Sequence, residues 1–210
     1  MRIRVIAALL AAAVGGACSE TRQPTQPETL SVPIVASSAQ HPDTPENHAT
    51  HLSGDQEPFT AAPGASTPAD SQAQGQAIFH VNGDGNSASV EYKLIASNIE
   101  NITQAHIHCG PAGVNGPIVM WLYPDPSATQ ALPGGAGRHD GILAEGTFDR
   151  TNLRPTTNAA CPGGIATFAD LLDRIRAGNA YVNVHTNDGV APTNTGPGDF
   201  PGGEIRGQFK

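Results

Sequence analysis

The sequence predicts an all-β protein, an antiparallel Greek-key-like sandwich or barrel with one short helix. Three observations carry that expectation. The 24 glycines and 18 prolines among 210 residues follow no collagen period and are too many for a helical bundle, so they mark turns between short strands plus a flexible segment. Strand-like apolar runs, several of them alternating with polar residues, recur between those turns. A helical period occurs in one place, TFADLLDRIRAG. The length allows one domain of ordinary size behind a signal-like start.

Residues 1–18, MRIRVIAALLAAAVGGAC, have the form of an export signal: Arg2 and Arg4, an apolar run from Val5 to Val14, then small residues. The run is too short to span a bilayer as a mature helix. Gly15-Gly16-Ala17-Cys18 resembles a bacterial lipobox, which implies lipidation of Cys18 and attachment to a membrane through that lipid. Gly15 stands where such motifs usually carry an aliphatic residue, and the alternative is an ordinary secretory peptide cleaved nearby. Both readings place the domain outside the cytoplasm; the lipobox reading puts it in a bacterial cell envelope, as a periplasm-facing or surface lipoprotein. Residues 19–50 are rich in Pro, Ser, Thr, Gln and Glu. That composition buries too little apolar surface to offset its ordering entropy, so a disordered tether is expected, with His41 and His48 as solvated side chains.

The folded domain is expected over 51–210. Ala77 to Val81 and Ser89 to Ile95 read as strands joined across Asn82-Gly83-Asp84-Gly85-Asn86, residues that tolerate positive φ, hence a hairpin. This loop lacks the later bidentate glutamate of a helix-loop-helix calcium site, and turn chemistry explains it better. AHIHC gives the next strand, IVMWLY at Ile118 to Tyr123 a buried one, and Gly141 to Asp149 another. In the helical segment Phe168, Leu171, Leu172 and Ile175 share a face, Asp170 and Asp173 point away, and Gly178 supplies the stop. Tyr181 to Thr186 alternates as a strand, and GGEIRGQFK closes the chain as the last. Trp121 and Tyr123 share a face, which reads as core rather than a ligand platform.

A formal charge of −8 with only 11 Lys+Arg and no basic cluster argues against nucleic acid as a partner. With Cys18 assigned to lipid, Cys109 and Cys161 remain to form one disulfide in an oxidising compartment, at a chain-entropy gain of about 4 kcal/mol. The rival role for Cys109 is a thiolate ligand beside the neighbouring histidines. No Gly-x-Ser-x-Gly elbow or recognisable Ser/His/Asp set is present, and no catalytic residue is assigned.

His51-Leu52-Ser53-Gly54 with Pro58, AIFHVN, AHIHCGPAGVNGPIV, LLDRIRAGNAYVNVHT and FPGGEIRGQF occur in an order that resembles the CHRD domain, the module named after the repeats of chordin. The resemblance covers about His51 to Lys210. It departs in the long loop from Gly189 to Phe200 and in the paired cysteines. It implies a non-catalytic binding or structural module outside the cell, expected as a monomer, with an unidentified protein or glycan as partner. Chordin's antagonism of growth factors does not transfer to a tethered bacterial copy, because a fold does not fix an activity.

His106 and His108 lie two residues apart on a strand, so both imidazoles leave one face about 7 Å apart while Ile107 and Cys109 leave the other. YVNVHT offers His185 as a third. Neutral imidazoles suit copper or zinc, and three of them with an open position make a competent site. If the histidines bind metal, donor chemistry leaves copper and zinc both open. The order His106-Ile107-His108, Val184-His185, Glu204-Ile205-Arg206 has a weaker similarity to copper-zinc superoxide dismutases, which implies a copper site and an anion-guiding role for Arg206. A bridging histidine and a zinc-loop cluster are missing, so dismutase activity is not implied; His80 and His139 are the candidates for a fourth ligand. The alternatives stay open: His106 and His108 on the solvent face of an edge strand or donating to carbonyls of the loop from Gly110, His185 capping the turn that follows it, and Glu204 with Arg206 as a structural ion pair.

Overall fold

A computed structural model describes residues 46–132 and 137–210. The expected signal, Cys18 and most of the expected tether lie outside these residues. Among the described residues there are eight strands: β1 Glu46–Ser53, β2 Gln74–Asn82, β3 Ser89–Glu100, β4 Ile102–Cys109, β5 Ile118–Tyr123, β6 Arg138–Asp149, β7 Ala180–Thr186 and β8 Ile205–Gln208. One helix, α1, spans Phe168–Arg176. The strands form a single sheet in the order β5-β4-β7-β8-β1-β2-β3-β6, and every pairing is antiparallel. Of the two expected forms, sandwich and barrel, the sheet takes one close to the barrel. The Tyr92 hydroxyl on β3 donates to Leu122 O of β5 at 2.7 Å, and the Arg154 amide just beyond β6 donates to Val119 O at 2.9 Å. These bonds tie edge strand β5 to the β3–β6 end of the sheet.

The two faces of the sheet have different chemistry. One packs the core: Leu52, Ala77, Phe79, Val90, Leu94, Ile107, Val182, Val184 and Ile205 are all at most 1 % exposed and belong to one cluster. Helix α1 adds Phe168, Leu171, Leu172 and Ile175 to that core, with Phe168 edge-on to Phe148. Its start is fixed by a capping box in which Thr167 accepts from the Asp170 amide and Asp170 accepts from the Thr167 amide. Asp170 thus points away from the core, as its spacing predicts, and also holds the helix terminus. Gly178, with φ +67°, supplies the left-handed residue after the helix end.

The strand set differs from expectation at its start. Glu46 to Thr50, assigned by composition to the tether, belongs to β1, which pairs with β2 from Glu46↔Val81 to Ser53↔Gln74. The segment ENHAT carries almost no apolar signal, and its order comes from partners elsewhere. Glu46 accepts from the Arg176 guanidinium at the end of α1, Thr50 Oγ1 donates to Gln208 O at 2.8 Å, and His48 packs edge-on to Phe209. Cys109 and Cys161 are joined, tying the end of β4 to the loop before α1.

Candidate metal centre

On the second face of the sheet, polar side chains of β4, β7 and β8 lie side by side. The register pairs His106 with Asn183, His108 with Tyr181 and Gln104 with His185, and carries on to Asn183↔Arg206 and Tyr181↔Gln208. Because side chains on facing positions of an antiparallel pair share a face, His185 is placed diagonally across from His106. β4 is an interior strand between β5 and β7, which rules out the edge-strand alternative. Three connecting segments cover this face, around Gly54–Pro58, Gly110–Pro117 and Gly198–Glu204. As a result His106, His108 and His185 are 0, 8 and 6 % exposed.

The three imidazoles converge. One ligand nitrogen from each lies within 4.8 Å of the others, and His106 Nδ1 is 3.2 Å from His185 Nε2. Among the described residues this is the one group of three or more His, Cys, Asp or Glu side chains whose ligand atoms meet. The backbone sets the tautomers. His108 Nδ1–H donates to Gly116 O at 2.9 Å and His185 Nδ1–H donates to Pro201 O at 2.9 Å. A carbonyl only accepts, so in both rings the proton sits on Nδ1 and the lone pair on Nε2. His106 Nδ1–H then faces the His185 lone pair. The Nε2 atoms of His106 and His108 are buried without any hydrogen-bond partner, a costly arrangement for a polar atom. His108 thus has both marks of a metal ligand, a carbonyl-oriented ring and a free buried lone pair; His106 shares the free lone pair and His185 the carbonyl orientation, its own Nε2 facing His106 Nδ1–H.

All three rings are held neutral. Burial, then the other two histidines and Arg154, lowers His106 to about 2. Burial and His185 lower His108 to about 3, against the opposing Gly116 hydrogen bond, and burial lowers His185 to about 4. Aromatic walls flank the group: Trp121 stands edge-on to His106 with centroids 4.2 Å apart, and Tyr181 stacks on His108 at 4.9 Å and 9°. The Tyr181 oxygen accepts from the Gly116 amide at 3.0 Å, so one loop residue orients both rings. Trp121, expected in the core, therefore lines the histidine face.

Other expected roles change. Glu204 and Arg206 do not pair with each other. Glu204 accepts from Ser71 Oγ, Thr186 Oγ1 and the Gly198 amide, pinning the covering segment. Arg206 donates to Pro111 O, Val114 O and Gln208 Oε1 while its guanidinium lies 3.3 Å over the Tyr181 ring. Its donors are thus turned to the loop after β4, and the anion-guiding role implied by resemblance is not the one its contacts describe. His185 bonds to Pro201 O rather than capping the turn that follows it, and His108 takes the loop-carbonyl bond considered for it. His80 bonds to Asn47, and His139 lies 3.3 Å from Gly141 O; neither joins the ligand group. Cys109 is in its disulfide on the core face and offers no thiolate. In the hairpin loop Asp84 accepts from the Gly85 amide, in keeping with turn chemistry.

Two neighbours of the histidines, Asn183 and Glu57, are not among the expected site residues. Asn183 donates to Glu57 and leaves its Oδ1 buried without a partner. Glu57 is held up at about 7 by burial, against the pull of Arg206 and Asn183. Gly203 makes room for this pair: its φ is +132°, and a Cβ there would run into the Asn183 amide and Glu57 Oε1. The period-2 pattern of YVNVHT does place Asn183 on the histidine face, which is the one signal that could have found it.

Residues 48–209 match the family model described as the CHRD domain. No curated protein and no solved structure matches the chain.

Proposed function

This chain belongs to the CHRD domain family, and we propose that it serves as a binding module whose ligand is a late first-row transition metal, copper foremost, held by His106, His108 and His185. The observation that carries this reading is the convergence of three buried imidazoles, two of them with Nε2 lone pairs that meet no protein donor. Neutral nitrogen donors of this type suit copper and zinc, and the Gly116 and Pro201 carbonyls supply the outer support that keeps the rings aimed. The role is binding rather than turnover, with no dismutase activity assigned.

The module works outside the cytoplasm, tethered to an envelope membrane through a lipid on Cys18. The form of residues 1–18 supports this, and the Cys109–Cys161 disulfide suits an oxidising compartment.

Titration of the purified full chain with copper and with zinc, with stoichiometry read by calorimetry, tests the metal reading. One equivalent is expected to bind to the native chain, and none tightly to a His106→Ala/His108→Ala variant that keeps its circular dichroism. Binding left unchanged by the substitutions, or absent from the native chain, returns the histidines to the fold and points to a protein or glycan ligand.

A further inference from the structure

We infer that the site selects its ion by charge, taking copper as the monovalent cuprous ion in preference to Cu(II) or Zn(II). The inference rests on the three-histidine reading above and adds the oxidation state.

The ligand group contains no anion. Three neutral imidazoles leave a bound ion with its full charge in a buried setting, and the solvation penalty for burying charge grows as its square. A divalent ion therefore loses far more than a monovalent one on entering. A second observation points the same way. Behind two of the three rings stands an aromatic spacer and then a guanidinium: Arg154 lies 5.3 Å over Trp121, which abuts His106, and Arg206 lies 3.3 Å over Tyr181, which stacks on His108. Both are permanent cations, and each is held by backbone carbonyls, Arg154 by Ala128 O and Arg206 by Pro111 O and Val114 O.

The nearby carboxylates do not redress the balance within the ligand set. Glu57 faces Asn183 and Arg206, and Glu204 is surrounded by Ser71, Thr186 and the Gly198 amide. Sulfur does not explain a cuprous preference either, since Cys109 is oxidised and Met120 lies in the core cluster. Selection is left to charge and burial.

The test is anaerobic competition on the full chain: Cu(I) against bicinchoninate with ascorbate, which leaves the disulfide intact, and Zn(II) and Cu(II) against chromophoric chelators of their own. Cu(I) is expected to bind at least about 100-fold more tightly than Zn(II), and the copper-loaded chain to have a reduction potential above that of the aqueous copper couple. In Arg154→Gln, which removes one cation and leaves all three ligands, the Cu(I) over Zn(II) ratio should fall by about 10-fold. Tighter binding of Zn(II) or Cu(II), or a ratio unmoved by Arg154→Gln, overturns the charge inference while one-to-one binding keeps the three-histidine reading. Failure to bind any of the three ions overturns both.

Discussion

At the scale of single residues, the site depends on backbone carbonyls as much as on the histidines. Gly116 supplies the acceptor for His108 and the donor for Tyr181, and a Cβ at this position would collide with the Cys109 carbonyl. Gly116→Ala is therefore expected to displace the loop, lower stability by about 2 kcal/mol and weaken metal binding, as read by thermal melts and a metal titration of the same sample. His185→Ala removes one of three donors and leaves both β4 histidines in the chain, although His106 Nδ1 loses its partner. It should lower metal affinity by about 100-fold or more, with melting of the metal-free chain as the control. The roles of Glu204 and Arg206 were only half legible. Their alternation in the sequence predicts one face, but Glu204 precedes β8 and meets Ser71, Thr186 and Gly198, while Arg206 meets Tyr181 and the loop after β4; partners from distant segments determine what each does, and no local periodicity encodes them.

At the scale of elements, the strands that announce themselves are those with apolar residues on one face and turn residues at their ends: β2, β3, β5, β7 and the helix after Thr167. β1 does not, because Glu46 to Thr50 presents polar side chains and owes its order to β2, Gln208 and Arg176. A chain shortened to begin at His51 loses five of the eight β1–β2 register pairs together with the Glu46–Arg176 ion pair. It is expected to unfold at lower denaturant than the full chain; equal midpoints would show that the first half of β1 contributes nothing. The disulfide closes a sequence separation of 52 residues between β4 and the loop before α1. Replacing both cysteines by alanine should cost about 2–5 kcal/mol in chemical denaturation, while metal binding persists because Cys109 leaves the strand on the core face.

At the scale of the whole molecule, the sequence places His106 and His108 on a common face, but their meeting with His185, 79 residues beyond His106, follows from the β4–β7 pairing, which no local pattern encodes. Burying these rings has a thermodynamic consequence. The three histidines are lowered to about 2, 3 and 4, so below about pH 6.5 the unfolded chain binds protons that the folded chain refuses, and stability falls as pH falls. Glu57, raised to about 7, acts in the opposite sense between its ordinary value and pH 7, because there the folded chain keeps a proton that the unfolded one releases. The net slope from these four groups is that of about two protons, roughly 3 kcal/mol per pH unit near pH 5, measurable by denaturant melts of the metal-free chain between pH 5 and 7. Metal should shift the same equilibrium the other way, adding about 2.7 kcal/mol at a free concentration 100 times the Kd. The most direct test of the three-histidine centre uses Trp121, the single tryptophan of the chain, whose ring centroid lies 4.2 Å from that of His106. Titrating copper into the full chain while following tryptophan fluorescence should give quenching that saturates at one equivalent and vanishes in His185→Ala. Quenching that never saturates, or that survives loss of His185, would contradict a metal held by these three histidines.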